Sequence, residues 1–372
     1  MQVHVSRILS LYIAKQFALW FSAILGSLLA IVLLFDIIEL LRRAADKPSA
    51  TFDLMVGMGV LGLPEIGQEI FPFVALFGGM YTFWRLTRSQ ELVVARASGI
   101  SAWQFMTPAL MTAVTIGVVA VGLLNPVFSA MLARYEQLEN RYLRGQTSSL
   151  EVSRSGLWLR QLLESDHAYL IHAESVIPPA APGGNLGLQK VMVLLYDGAG
   201  DYAGRLDAAT ATLESGHWEL RDGFHNPVEP PARHFETYSL PTDFTVAKIE
   251  ESFASPKTLS FWDLPAFIAT LERTGLSSVR HRLYYQSLLA RPALFAAMVL
   301  LAAAFSLRHV RHGGTLTLVA TGIVAGFLLF IINKLVNTLG LSGTVPVVLA
   351  AWAPTGIAWM LGAAALLHLE DG

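Results

Sequence analysis

Cysteine is absent from the 372 residues, which excludes disulfides, thiolate catalysis and Cys-ligated metals. Charge is scarce as well. Asp, Glu, Lys and Arg make up 15% of the chain, against roughly a quarter in an ordinary soluble domain. The net charge of −2 comes without a long basic tail, so nothing points to nucleic acid. Signatures of catalysis are missing too: there is no GxxxxGK(S/T) phosphate loop, no HExxH and no serine in a GxSxG elbow. His309 and His312 sit in a short polar loop, best explained as solvated. His167 and His172 fall at odd spacing in a strand-rich stretch, which would send them to opposite faces of one strand. The chain therefore reads as non-catalytic, with no cofactor or metal of its own. A secretory cleavage pattern is also lacking. The apolar run after Lys15 is about twice the length of a signal-peptide core, so it reads as a retained anchor.

What is abundant is apolar sequence, 53% of the chain. Residues 1–16 carry Arg7 and Lys15 among apolar positions, the pattern of a helix lying on a membrane surface. Spans are expected at residues 17–41, 53–84, 102–131, 283–307, 316–336 and 345–369, since about 20 apolar residues suffice to cross. The second is longer than a bilayer needs and holds Pro64 and Pro72, so it either projects or kinks. It also holds Glu65 and Glu69, which share one helical face. They form either a proton or ion site or a pair satisfied by basic groups or water. The third span has an Asn125-Pro126 break near its outer end.

Residues 147–255 have a different character. Short alternating or β-branched runs recur at 157–160, 168–176, 190–196, 208–213, 218–221 and 234–240, with Asp197-Gly198 and Ser215-Gly216 as turns and 177–187 as a loop. This predicts a sandwich or jelly roll. Ser260 and Asp263 have the spacing of a capping box that opens a helix ending near Gly275. The expected fold is thus an α-helical integral membrane protein with six transmembrane helices and an inserted all-β, jelly-roll-like domain. Its boundaries fall at 1–134, 135–282 and 283–372, and no internal repeat relates the two membrane halves.

Arg7, Lys15, Arg85, Arg88, Arg96, Arg308 and Arg311 all fall on one side of such a topology, which marks that side, and both termini, as cytoplasmic. The β domain is then outside. Arg42, Arg43 and Lys47 run against the bias, as basic groups held outside for an anionic ligand would.

A polar island, residues 85–101, separates the second and third spans. Thr87 with Gln90, and Ser101 with Gln104, have capping-box spacing, and Gly99 suits a helix C-terminus, so a short helix over 87–99 is expected. It is either a plain connector or a handle for a partner. As a handle it would offer Glu91 and Arg96 as charges and Leu92 and Val94 as a small apolar footprint.

The run SQELVVARASGIS, preceded by Pro64 and FPFVALFGG and followed by Ser155-Gly-Leu-Trp158 at the start of the β region, resembles the LptF/LptG permease family over essentially the whole chain. The LVV-x-x-ASG form looks more like LptG than LptF. The resemblance implies a subunit of the ABC transporter that extracts lipopolysaccharide from the inner membrane of Gram-negative bacteria, with the β domain in the periplasm. It further implies an LptF-like permease partner enclosing an outward-facing cavity, an LptB-like ATPase dimer on the coupling helices and an LptC-like single-span protein. ATP and Mg would be bound by the ATPase, whose groove would receive Glu91. Arg42 and Arg43 match the family's basic pair at the lipid's phosphorylated head, and Arg134 and Arg141 lie near its basic positions after the third span. Apolar walls would come from the first and fifth spans, with charge also from Lys334. Asp36 stands where relatives carry a further basic residue. Three other readings remain: the LptF role, a membrane scaffold that moves no substrate, and a proton-coupled transporter using Glu65 and Glu69.

Overall fold

The computed structural model describes residues 7–45, 47, 50–144, 149–153, 156–162, 168–177, 185–196, 201–228, 231–242, 244, 255–273, 276–309 and 315–370. Met1–Glu136, Ser260–Trp262 and Arg282–Gly372 form one compact unit, and Gln137–Leu259 with Asp263–His281 a second.

Among the described residues, six helices are long and apolar enough to cross a membrane. The first, α1 (Arg7–Ala44), is continuous. The surface helix expected over residues 1–16 is, from Arg7 onward, simply its beginning. No glycine or proline interrupts Arg7 to Phe17, and Ile13, Phe17 and Phe21 fall at i, i+4 spacing on the side that packs into the protein. Next, α2 (Phe52–Arg88) runs unbroken through Pro64 and Pro72. After the short α3 (Glu91–Ala97), α4 (Ala102–Val119) passes through a π turn at Ala120–Leu124 into α5 (Asn125–Glu139) and a second π turn at Asn140–Arg144.

The Asn125-Pro126 break thus falls inside a helix that continues past it, as the expected span 102–131 requires. Proline lacks the N–H that an α-helix would aim at the carbonyl four residues earlier, here Gly122. That carbonyl instead accepts the indole N–H of Trp262 at 3.0 Å. Beside it the buried Asn125 side-chain oxygen accepts the backbone N–H of Phe261 at 2.6 Å.

The remaining helices are α6 (Leu264–Arg273), α7 (Val279–His309), α8 (Thr315–Leu341) and α9 (Val347–Glu370). Small residues set the close packing of the spans, as is usual where lipid removes the hydrophobic drive between helices. A Cβ on Gly117 would lie 2.6 Å from Pro292 Cα, and one on Gly79 would lie 2.8 Å from Ala302 Cβ. The core of this unit gathers Phe71, Val74 and Met80 of α2 with Phe295, Val299 and Ala302 of α7.

The second unit is a seven-stranded antiparallel sheet, β1 (Ser149–Ser153), β2 (Gly156–Leu162), β3 (Ala168–Ile177), β4 (Gly187–Tyr196), β5 (Tyr202–Glu214), β6 (His217–Pro227) and β7 (Arg233–Pro241). The strands pair in chain order. This is a meander, whereas a jelly roll needs Greek-key crossovers. The physical reason is the short connections, of which Ser215-Gly216 between β5 and β6 is one, with Gly216 at φ 84°. The sheet nevertheless curls. Buried Gln161 of β2 accepts from Tyr169 of β3 at 2.7 Å and from Thr242, just past β7, at 2.6 Å. Leu159, Val193, Leu206 and Trp218 fill the enclosed face, and Leu271 and Phe267 of α6 pack on the same core. The strands run longer than their sequence signals, and β1 had no recognised signal at all. α6 begins at Leu264 with Asp263 just before it, three residues later than the Ser260 spacing implies. The Asp197-Gly198 turn, the interior of the 177–187 loop, Ser155, His167, Gly275, Arg311 and His312 lie outside the described residues.

Candidate functional site: the α2–α4 connection and the exposed basic groups

The polar island becomes a kinked connection. Thr87 is not a cap: its hydroxyl donates to the Phe83 carbonyl at 2.7 Å and its position is inside α2. The helix persists to Arg88. Ser89 and Gln90 then close it through bonds from their N–H groups to Arg85 and Thr87 carbonyls, and Gln90 adopts φ 61° before α3 starts at Glu91. The other end follows the sequence signals. Gly99 is left-handed at φ 87°, the Ile100 N–H returns to the Ala95 carbonyl at 3.2 Å, and Ser101 and Gln104 form a reciprocal capping box.

Within α3, Leu92 and Ala95 turn inward, joining Ile13, Leu86 and Phe105 in the core. Leu92 thus fastens the helix from inside and cannot be part of a docking footprint. Val94 is 68% exposed and Val93 is 52% exposed. Val93 was missed in the sequence, because a Leu-Val-Val run in a seven-residue helix has no periodicity to show which member faces out. Glu91 is exposed, and its Oε1 accepts from Ser89 Oγ at 2.8 Å and from the Tyr12 hydroxyl at 3.4 Å. Arg85 donates to Gln16 of α1 at 2.9 Å, and the Arg88 guanidinium lies 5.2 Å from the Trp84 ring centroid. Arg96 is part of α3, and its side chain lies outside the described residues. The outward surface is one carboxylate beside two valines, suited to a partner offering a cation and a shallow apolar groove.

Arg42 and Arg43 occupy the last turn of α1, where cations complement the helix dipole. Both are exposed, and Arg42 pairs with Glu39 at 2.8 Å. Arg134 is exposed on α5 in the first unit; Arg141, exposed in the second, lies 5.5 Å over the Tyr142 ring. Asp36 sits where α1, α2 and α5 converge, since a Cβ on Gly62 would lie 3.5 Å from Asp36 Oδ2 and 3.4 Å from the Tyr135 ring. Lys334 on α8 is exposed, 5.4 Å from the Phe330 ring centroid. Only 6% of the most apolar stretch of α1 and 17% of that of α8 is buried, against 67% for α7. Phe35 and Ile38 on one and Phe327 and Leu335 on the other are left uncovered. Such faces meet lipid or another chain.

Gln68, between Glu65 and Glu69, accepts from Arg291 of α7 and, at 3.4 Å, from Tyr284. Arg291 also stacks 5.8 Å from the Tyr284 ring and is in electrostatic reach of Glu69. A basic group thus stands opposite the acidic face of α2, the arrangement expected of a paired intramembrane cluster.

The sequence profile of the family described as "Lipopolysaccharide export system permease LptF/LptG" matches residues 11–368. The chain is 25% identical over 360 residues, 94% of each chain, to the lipopolysaccharide export system permease protein LptG of Escherichia coli K12. It is 23% identical over 361 residues, 92% of this chain and 94% of the relative, to the protein of the same name from Haemophilus influenzae. With matched sequence running from the first span to the last and through the sheet inserted between them, the chain belongs to the LptF/LptG family of lipopolysaccharide export system permeases.

Proposed function

We propose that this chain is an LptG-type subunit that extracts lipopolysaccharide from the inner membrane of a Gram-negative bacterium for export toward the outer membrane. It hydrolyses nothing itself. A separate LptB-like ATPase, which binds ATP and Mg, docks on α3. The observation that carries this reading is α3 itself, fixed at both ends and from beneath by Leu92, with Glu91, Val93 and Val94 turned outward. Energy input is needed because each lipid CH₂ brought into water costs about 0.8 kcal/mol and lipid A carries several acyl chains.

The uncovered faces of α1 and α8 suit an LptF-like partner and the acyl chains between the two subunits. Arg42 and Arg43, with Arg134 of the same unit, supply cations for the phosphorylated head. The clustering of basic residues in the α2–α4 connection supports a cytoplasmic α3 and cytoplasmic termini, hence a periplasmic sheet that can meet an LptC-like protein. Both curated relatives quoted are named LptG, which favours that role over LptF.

The test is reconstitution of the assembled complex in proteoliposomes loaded with lipopolysaccharide. ATP-dependent release to a soluble acceptor, lost with Glu91→Arg, supports the reading. Release that ignores ATP contradicts it.

A further inference from the structure

The coupling carboxylate is not left to find its own rotamer. Glu91 is the first residue of α3, a position where an exposed glutamate would ordinarily sample several side-chain conformations. Here two hydroxyls converge on the same oxygen, Ser89 from the link before α3 and Tyr12 from the start of α1, and neither contact engages Oε2. The single Ser89 hydroxyl proton has three acceptors in reach, the Glu91 carboxylate nearest at 2.8 Å, then the Arg85 carbonyl at 3.0 Å and the Leu86 carbonyl at 3.3 Å, and the carboxylate's charge favours it among them. Arg85 in turn reaches back to α1 through Gln16, one turn beyond Tyr12. The polar contacts sit over an apolar seat in which Ile13 and Phe17 of α1 meet Leu86 and Leu92.

We infer that Ser89 and Tyr12 are positioning residues for Glu91: they hold Oε1 so that Oε2 is presented to a guanidinium or ammonium of the docked ATPase, and Tyr12 ties that contact to α1. This rests on the coupling role of α3 given above. Preorganisation of this kind strengthens binding by removing the cost of immobilising the side chain at docking. The link to α1 has a mechanical consequence. A displacement of α3 reaches α1 directly through Tyr12 and, by way of Arg85, through Gln16.

The experiment is a double-mutant cycle on the permease pair in nanodiscs, reading its affinity for the added ATPase and the ATPase rate at saturation. Ser89→Ala and Tyr12→Phe remove only hydroxyls, and the Tyr12 ring keeps its packing against the core. Each is expected to weaken capture about fivefold, equivalent to about 1 kcal/mol, the cost of immobilising one released side chain at docking. Ser89→Thr should restore it. In a Glu91→Gln background, which is itself expected to weaken capture at least tenfold, the same two substitutions should each change affinity less than twofold, because they act through the carboxylate.

If Glu91→Gln weakens capture but Ser89→Ala and Tyr12→Phe cost the same with or without it, the positioning role is overturned and the coupling reading stands. If Glu91→Gln leaves capture unchanged, both fall. Tyr12→Phe, unlike Ser89→Ala, should also lower the ATPase rate at saturation, and equal saturated rates for the two variants would contradict the tie to α1.

Discussion

Trp262 donates its indole N–H to the Gly122 carbonyl at 3.0 Å, and Gly122 is the residue whose α-helical partner would be Pro126. The neighbouring Phe261 N–H bonds Asn125 and its ring stacks on Tyr285 of α7, centroids 5.3 Å apart and 17° between planes. The segment Ser260–Trp262 thus repairs the proline break in the third span and braces it against the fourth.

If Trp262 repairs that break, Trp262→Phe should lower thermal stability by about 1 kcal/mol, the usual net worth of one hydrogen bond. The cost should shrink by more than half in a Pro126→Ala background, where residue 126 can satisfy Gly122 itself. Melting curves of the four variants in detergent would measure this.

The inward and outward faces of α3 should separate stability from coupling. Leu92→Ala removes a buried side chain and should destabilise by about 2–3 kcal/mol. Val94→Ala should change stability by less than about 0.5 kcal/mol yet reduce capture of the ATPase. A Val94→Ala protein that melts early but couples normally would reverse the assignment.

The left-handed Gln90 is the kink that aims α3. Gly tolerates φ 61° without a steric penalty, whereas a β-branched residue there costs on the order of 1–3 kcal/mol. Gln90→Gly should keep ATP-driven release, while Gln90→Val should impair it; hydrogen exchange across α3 would show the altered kink as faster exchange.

Arg42 and Arg43, as head-group cations, should act in proportion to charge. Arg42→Glu with Arg43→Glu is expected to lower photocrosslinking to lipopolysaccharide from neighbouring positions several-fold, with Lys replacements close to wild type. Glu39→Gln, which removes the partner of Arg42, should not reduce it.

The acidic face of α2 offers the sharpest contrast with proton coupling. Glu65→Gln and Glu69→Gln should leave release dependent on ATP and indifferent to a proton gradient. Arg291→Leu should destabilise the protein by about 1–3 kcal/mol, because it leaves the buried Gln68 side chain without its guanidinium donor.

Much of the fold was legible because it rests on local signals. The spans follow from apolar length, and the start of α4 from Ser101 and Gln104, whose capping box needs only three residues of context. What escaped depends on longer range. Thr87 and Gln90 have the same spacing as Ser101 and Gln104, but α2 had not ended at Thr87, and a hydroxyl inside a helix bonds backward. Leu92 and Val94 differ in burial because the left-handed Gln90 resets the helical phase, so no period carried over from α2 could rank them. The Asn125-Pro126 break was visible inside the third span, but its repair was not, because that comes from Trp262, over a hundred residues away. The order of strands was open for a similar reason: alternation marks a strand, and only the lengths of the connections decide its neighbour. Glu91 and the Arg42-Arg43 pair stand out in the sequence as charged residues out of keeping with their surroundings. The candidate site was not legible at Ser89 and Tyr12, whose roles exist only once α1 and α3 are side by side.

The most direct test of an energised permease is to capture this protein from native membranes, wild type beside Glu91→Arg, and identify what accompanies it. The account predicts an ATP-hydrolysing subunit and a second six-span permease with the wild type, and loss of the ATPase alone with the variant. A wild-type preparation that retains its permease partner but carries no ATPase would contradict it.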